Sequence, residues 1–230
     1  MADGFTADGS DFGDRLVERL SDQGLRVVRR DLTSTGGAAP AARLHVLSGG
    51  ATSVNDRSTW MPRALALTRT LLQGAHREDH TLVGICLGSQ MIAEALWPGG
   101  VRAGEQIEAG LTEVLWRAGA SERIIVPAFH YEELDPSTLA GGGEVVADNA
   151  HSPVQGFRLG PRIWGLQFHP ELEPADLRCM LIHHRQTIEA HRGSTEAALR
   201  SVDQLESRWK HDLFDRVFHR IIKVDDHSTE

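Results

Sequence analysis

The sequence predicts an α/β fold in which a doubly wound, mostly parallel sheet is flanked by helices, with β-hairpin additions at the sheet edge and helices at the C-terminus. Three observations support this prediction. Apolar strands alternate with amphipathic helices in the first half of the chain, which is the pattern of parallel βαβ units. From residue 111 to 168, short β-rich pieces are separated by Gly, Pro, Asn and Asp, and the tail from Pro174 is helical in pattern.

The first half of the chain has the spacing of alternating helices and strands. Between Asp11 and Gly24, apolar residues recur at three- and four-residue intervals, which indicates an amphipathic helix. Short apolar runs bounded by turn residues indicate strands. In chain order we predict a helix between Asp11 and Gly24, a strand at 25–30, a strand at 44–47 that runs into two glycines, a helix over 59–73 with Ser58 and Thr59 as caps, a strand at 81–85 and a helix from Leu87.

The second half contributes hairpins and the helical tail. The pieces LTEVLW, RIIVPAF, EVVAD, VQGFRL and RIWGLQF are most simply explained as hairpins at the sheet edge. In the tail, one apolar stripe extends over several turns, which favours a helix packed on the domain over a partner-binding helix. The stripe consists of Val202, Leu205, Trp209, Leu213 and Val217.

Length and charge limit the possible partners. A chain of 230 residues is expected to form one domain spanning 1–230, with a helical C-terminal extension over about 174–224. The net charge of −8 works against binding to nucleic acid or anionic lipid. Because the sequence has no long apolar run and no basic-then-apolar N-terminus, we expect a cytoplasmic protein that does not contact membranes.

Cys86 has the sequence environment of a nucleophile. It lies between Gly84 and Gly88 at the junction of a buried strand and a helix, which is the layout of a nucleophile elbow. The sharp turn leaves little space for side chains and pushes the thiol out of the sheet. The free N–H groups at the start of the helix favour thiolate over thiol.

The alternative interpretation of Cys86 is a buried, inert cysteine, as most free cysteines are. The flanking glycines favour the nucleophile. Cys179 lies in a helical run without such a context and is assigned to packing. With only two cysteines there is no disulfide framework, and a reducing compartment would leave both as thiols.

A base for Cys86 is predicted in the motif QFHPE, which follows the apolar run RIWGLQF. Residues two apart at the end of a strand project to the same face, so Glu171 can hold the imidazole of His169 in the tautomer that accepts the thiol proton. Pro170 between them fits a position where strand pairing stops. Taken alone, the same triplet is also typical of a surface turn.

A third element is the run Leu47-Ser48-Gly49-Gly50, a strand that enters a glycine loop. We expect this loop at the same C-terminal edge of the parallel sheet as Cys86, where such sheets bind ligands. N–H groups of the loop, together with that of Leu87, would then hold the oxyanion of a tetrahedral intermediate. The alternative is a tight turn that needs positive φ.

These motifs resemble a known family. GICLGSQ, SGGATSV, GLQFHPE and the connecting GGVRAGEQIEAGLTEV are similar, in the same order, to the class I (triad-type) glutamine amidotransferase domain, close to stand-alone relatives of the GMP synthase glutaminase domain. The resemblance covers roughly residues 45–172. It implies that Cys86 attacks the side-chain amide of glutamine, that His169 transfers the proton to departing ammonia, and that Glu171 orients His169. A γ-glutamyl thioester would follow, and water would hydrolyse it.

The resemblance also implies binding residues. It assigns the oxyanion contribution to Gly50, with Gly49 beside it, and to the amide of Leu87. It implies substrate contacts at Gln90, His130 and Tyr131. Two departures from the family pattern are present: MADGFTA is too polar for the apolar strand with which members usually begin, and Ala51 replaces the proline that commonly follows the loop glycines, which predicts a less rigid loop.

No metal or cofactor is predicted. His183, His184 and His191 lie in a helical segment without acidic or cysteine partners at ligand spacing, so a solvated helix face is favoured over a metal site. The sequence also lacks the GxxxxGK[ST] loop of an ATP site.

Three functions are compatible with these residues. The leading hypothesis is a glutaminase subunit that hydrolyses glutamine and passes ammonia to a separate synthase partner. The alternative is a stand-alone γ-glutamyl hydrolase that cleaves γ-glutamyl amides or peptides with water as the acceptor. A non-catalytic interaction module that kept the fold is less favoured, because all three triad residue types and the elbow glycines are present.

Overall fold

The computed structural model describes Thr6 and residues 8–33, 39–57, 60–77 and 79–223. Within these residues the helices are α1 (Phe12–Asp22), α2 (Met61–His76), α3 (Leu87–Leu96), α4 (Pro174–His183), α5 (Arg185–Ala190), α6 (Thr195–Leu205) and α7 (Leu213–Lys223). The strands are β1 (Leu44–Leu47), β2 (Thr81–Ile85), β3 (Val101–Trp116), β4 (Glu122–Leu134), β5 (Glu144–Asp148), β6 (Gly156–Leu159) and β7 (Ile163–Leu166).

The described strands form one sheet in the order β1-β2-β7-β6-β5-β3-β4. β2 pairs in parallel with both β1 and β7, and the other neighbours are antiparallel. The α/β class with flanking helices is confirmed. Its parallel part is limited to β1, β2 and β7, because the predicted hairpin additions build the rest of the sheet by antiparallel pairing.

Helices cover both faces of the parallel strands, as a doubly wound sheet requires. Alternation along β2 sends Val83 and Ile85 into a core shared with α1, α4, α6 and α7, whereas Leu82 joins a second core with α2 and α3. Both cores are buried, and between them they fix the positions of the three parallel strands.

The segment at 25–30, predicted to be a strand, is irregular. Val28 is 70% exposed there, so the apolar pattern does not correspond to a buried face. The physical reason is a competing set of contacts: Arg29 forms ion pairs with Asp11 and Asp14 at the start of α1. The segment follows this helix instead of pairing with the sheet.

The helical tail has the predicted stripe but not as one helix. Val202, Trp209, Leu213 and Val217 are all buried in the same core. A 3₁₀ turn at Glu206–Arg208 and a turn after it separate α6 from α7. The stripe therefore predicted burial correctly, but the prediction of one continuous helix was wrong.

The start of α2 also differs from the prediction. Ser58 and Thr59, the predicted caps, lie outside the described residues. The helix begins at Met61, and Pro62 occupies its first turn, where a missing N–H costs nothing. In the part of the chain described, no helix is both long and apolar enough to cross a membrane.

Candidate active site

The segments after β1, β2 and β7 carry the residues predicted to act together. Parallel pairing brings Leu47 beside Gly84, and Ile85 beside Leu166. The glycine loop, Cys86 and the His169 segment consequently leave the sheet at one edge. This is the edge at which parallel α/β sheets bind ligands.

Cys86 occupies a strained turn between β2 and α3. Its φ of 49° and ψ of −110° are unusual for a residue with a side chain. The turn is possible because a Cβ on Gly84 would lie 2.5 Å from the main chain of Gly88, and a Cβ on Gly88 would lie 2.0 Å from the main-chain oxygen of Leu47. The main-chain N–H of Cys86 donates to the Leu166 oxygen at 2.7 Å, which ties the turn to β7.

His169 and Glu171 form a buried pair directly after β7. Both side chains are fully buried, and Nδ1 of His169 donates to Oε1 of Glu171 at 2.7 Å. Within the described residues, Nε2 of His169 and Oε2 of Glu171 have no hydrogen-bond partner. Unpaired buried polar atoms are costly, so a pair left half-satisfied points to a chemical use.

The charge of Cys86 acts on His169. Burial by itself lowers the pKa of His169, but the negative charges of Glu171 and Cys86 outweigh it and raise the pKa. The thiol is not hydrogen-bonded to the imidazole. Its Sγ donates to the main-chain oxygen of Phe129 at 3.7 Å instead. Catalytic hydrogen bonds are often long before substrate binds. The site therefore favours the imidazolium form of His169.

The glycine loop after β1 passes close to both catalytic candidates. A Cβ on Gly49 would lie 2.7 Å from Cε1 of His169, and one on Gly50 would lie 2.9 Å from a methyl of Leu87. The N–H of Leu87 belongs to the first turn of α3, where N–H groups have no partner inside the helix. The loop thus packs against the ring of His169 on one side and the side chain of Leu87 on the other.

A carboxylate on β4 anchors the same loop. Oε1 of Glu132 accepts from Oγ of Ser53 at 2.6 Å and from Nδ2 of Asn55 at 3.0 Å. Val54 between them is fully buried. The loop has Ala51 where the family commonly has proline, and the contacts with Glu132 tie it to β4. Sequence reasoning missed Glu132, because no local motif marks it.

Gln90 is buried in the first turns of α3, directly after Cys86. Its Nε2 donates to the main-chain oxygen of Glu132 at 3.1 Å and to Oε1 of Gln167 at 3.3 Å. Both contacts hold the side-chain amide against β4 and β7. Gln90 therefore also joins the two strands that border the site.

The predicted substrate residue His130 is engaged elsewhere. Its Nε2 lies 3.0 Å from Oε2 of Glu108, and its Nδ1 lies 3.2 Å from the main-chain oxygen of Glu132. With both nitrogens directed at protein oxygens, the ring offers no free polar atom to a substrate. His130 reaches the site through the main-chain oxygen of Glu132, which also accepts a hydrogen bond from Nε2 of Gln90.

Tyr131, the next residue along β4, is half-buried and has a different set of contacts. Burial raises its pKa, and the charges of Glu132 and Cys86 add to that effect. Its ring stacks on His191, with centroids 3.9 Å apart and planes at 10°. Tyr131 thus lies within electrostatic reach of the predicted nucleophile.

The sequence predicted a solvated helix face for three histidines, but only His183 among them is exposed. His191 stacks on Tyr131, and the ring of His184 lies 5.4 Å from that of Phe129. The sequence pattern did not reveal these contacts because the partners lie on β4. Across the described chain, no group of three or more His, Cys, Asp or Glu side chains is arranged to hold a metal.

Two further residues near the site were not predicted. The ring of Phe12 in α1 stacks on the imidazole of His169, and Nε of Arg19 donates to the main-chain oxygen of Glu171 at 3.3 Å. The apolar spacing of α1 assigned Phe12 to the core. No signal in the sequence distinguishes it from Leu16, which is a core residue.

Comparison with known proteins identifies the family. The model of the class I glutamine amidotransferases matches residues 9–185, and the chain belongs to that family. It is 31% identical over 174 residues to a GMP synthase [glutamine-hydrolyzing] of Aeropyrum pernix, covering 71% of this chain and 31% of that protein. The chain thus spans less than a third of the length of this relative.

Solved structures share the fold. A glutamine amidotransferase from Thermotoga maritima superposes with a TM-score of 0.70 and 19% identity, over 95% of this chain and 94% of the other. A glutamine amido transferase from Methylobacillus flagellatus gives a TM-score of 0.62 and 20% identity, over 93% and 88%. At these identities the likeness describes the fold alone.

Proposed function

We propose that this chain hydrolyses glutamine to glutamate and ammonia through a γ-glutamyl thioester on Cys86, and that the ammonia passes to a separate synthase. The observation that carries the proposal is the fully buried His169. Its Nδ1 is bound to Glu171, its Nε2 has no partner among the described residues, and the charge of Cys86 acts on it. This is the arrangement of an activated nucleophile.

In the proposed first step, the Sγ of Cys86 attacks the γ-carbonyl carbon of glutamine and its proton moves to Nε2 of His169. The positive imidazolium is stabilised by Glu171. The carbonyl oxygen becomes an oxyanion, which the amides of Gly50 and Leu87 hold. Removing one such donor typically costs about 100- to 1,000-fold in kcat.

The intermediate then collapses. The C–N bond breaks, His169 gives its proton to the leaving nitrogen, and ammonia departs while the acyl group remains on Cys86 as a thioester. Water next attacks the thioester, and Nε2 of His169 takes its proton. Collapse of the second intermediate releases glutamate and restores the thiol.

The ammonia acceptor is proposed from the relatives. The name of the Aeropyrum protein joins glutamine hydrolysis to GMP synthesis, and this chain matches 31% of that protein. We therefore propose a synthase as partner, and residues 1–230 as one glutaminase domain in which α6 and α7 extend beyond the family match at 185.

The test is glutamate release from free glutamine and from a γ-glutamyl dipeptide, with Cys86→Ala as the blank. Glutamine turnover above the blank, and a γ-glutamyl hydroxamate formed when hydroxylamine is added, support the proposal. Faster turnover of the dipeptide makes the chain a stand-alone γ-glutamyl hydrolase. Equal turnover by wild type and Cys86→Ala contradicts the triad.

If the chain alone turns over neither substrate, the thioester is measured directly. Mass spectrometry of the intact protein after incubation with glutamine detects a γ-glutamyl group on Cys86. Its presence indicates a glutaminase whose turnover awaits a partner. Its absence from a folded wild-type protein favours the interaction module.

A further inference from the structure

An aromatic ring from α1 covers one face of the His169 imidazole. The ring centroids of Phe12 and His169 lie 4.7 Å apart, with an angle of 19° between the planes. Gly49 meets both rings, because a Cβ there would lie 2.7 Å from Cε1 of His169 and 3.4 Å from Cδ1 of Phe12. The imidazole is therefore held between an aromatic face and the glycine loop.

The helix that carries Phe12 is fastened to the chain segment that carries the base. Arg19 donates to the main-chain oxygen of Glu171 at 3.3 Å and pairs with Glu173 at 2.8 Å. One turn earlier, Arg15 pairs with Asp176 at 2.8 Å. These contacts fix the distance between α1 and the residues after β7, so that the Phe12 ring has a defined place over the imidazole.

We propose that Phe12 is a positioning residue that orients the imidazole of His169 and stabilises its protonated form. The proposal rests on the proposed role of His169 as the base. The face of an aromatic ring attracts a cation, and the attraction is stronger where water is excluded. His169 is fully buried, so this condition holds.

The ring adds to the charges that already act on the imidazole. Those charges are Cys86 at the start of α3 and Glu171 after β7, which are negative when ionised and favour imidazolium. The nearby Arg19 on α1 donates to the main-chain oxygen of Glu171 and is paired with Glu173. Phe12 favours the imidazolium without adding a charge, and it also blocks rotation of the ring away from Cys86.

The experiment measures the thiolate–imidazolium pair without requiring turnover. The rate of Cys86 alkylation by iodoacetamide is followed against pH in a Cys179→Ser background, so that one thiol reacts. Phe12→Leu removes the aromatic face and Phe12→Tyr keeps it. For Phe12→Leu we expect the alkaline step, at which the imidazolium loses its proton, to fall by about one pH unit. Phe12→Tyr should retain the parent profile.

Turnover supplies the second readout. With the preferred substrate, kcat/KM should fall about tenfold or more in Phe12→Leu, because the base is less well placed. A matched control is Phe218→Leu, which removes a ring from the Phe214–Phe218 stack in α7, at 4.2 Å. This control should lower the melting temperature without moving the alkaline step.

Each contrary result has a separate meaning. If Phe12→Leu keeps the parent pH profile, or if Phe218→Leu moves the step as much, Phe12 has no positioning role. If His169→Asn leaves the alkylation profile unchanged, no thiolate–imidazolium pair exists, and the proposed function fails together with the role of Phe12. If only Phe12→Leu and His169→Asn alter the profile, the proposal stands whichever substrate is used.

Discussion

Two buried histidine–glutamate pairs lie in the described part of this fold, and they differ in how completely their polar atoms are satisfied. In the pair His169–Glu171, one nitrogen and one carboxylate oxygen have no partner among the described residues. In the pair His130–Glu108, both ring nitrogens face protein oxygens, and the carboxylate also accepts from Asn149 at 2.6 Å and from Gln155.

The difference separates a pair available for chemistry from a pair that holds the structure. Burial alone raises the pKa of Glu108, but the hydrogen bond and charge of His130, with help from His151 and Asn149, lower it to about 2. A satisfied network of this kind stabilises a core. The half-satisfied pair leaves Nε2 of His169 without a partner among the described residues, and in the proposed mechanism this atom exchanges a proton with Cys86.

The strongest test of this difference is to replace His169, the proposed base. We expect His169→Asn to lower kcat/KM by about 10³-fold or more, since the triad residues act as a unit. The asparagine amide can still donate a hydrogen bond to Glu171, so the melting temperature should fall less than in a variant that leaves a buried carboxylate without this partner. Steady-state assays of the preferred substrate, paired with thermal unfolding, check both parts. Residual activity within tenfold of wild type would assign the proton transfer elsewhere.

The opposite pattern is expected for the other histidine. His130→Leu removes the imidazole that pairs with the buried carboxylate of Glu108, and the loss of one partner of a buried pair typically destabilises a protein by about 3–5 kcal/mol. Urea unfolding measures the loss. The activity of the fraction that remains folded should change much less than in His169→Asn. A stable His130→Leu protein that has lost turnover would instead place His130 in the substrate site.

Acid unfolding tests whether the pair His130–Glu108 stabilises the fold. The pKa of Glu108 is lowered from 4.5 to about 2, so its stabilising effect is complete above about pH 4.5 and is lost as the pH falls through 2. The shift corresponds to about 3 kcal/mol. Glu108→Gln should remove this part of the pH dependence, as measured by urea unfolding between pH 5 and 2. The exposed Glu105 on the same strand provides the control, and Glu105→Gln should keep the wild-type slope.

The smallest expected effect concerns the glycine loop. Ser53→Ala removes one donor to Glu132, and we expect a loss of about 1 kcal/mol in unfolding free energy. Because the loop carries Gly49 and Gly50, a decrease of a few-fold in kcat should accompany it. Thr52→Ala, one residue earlier and without this bond, serves as the comparison. Equal effects of the two variants would show that Glu132 does not anchor the loop.

The sequence predicted those parts of the candidate site whose residues lie in continuous motifs. Cys86 with its two glycines, and His169 with Glu171, are local patterns, and parallel strand pairing brings them together. The roles of Phe12 and Glu132 depend on contacts between distant segments, which apolar spacing does not encode. The irregular segment at 25–30 shows the same limit, because the ion pairs of Arg29 with Asp11 and Asp14 join it to the start of α1, and apolar spacing does not encode such contacts.

The contact between Gly88 and Leu47 has a consequence for motion. A Cβ on Gly88 would lie 2.0 Å from the Leu47 oxygen, so the backbones of α3 and β1 touch without any side chain between them. Neither backbone can shift toward the other at this point, so the position of Cys86 at the start of α3 is linked to that of the glycine loop after β1. A side chain at position 88 would have to push the two segments apart, so a substitution of Gly88 is expected to displace Cys86 and the glycine loop together.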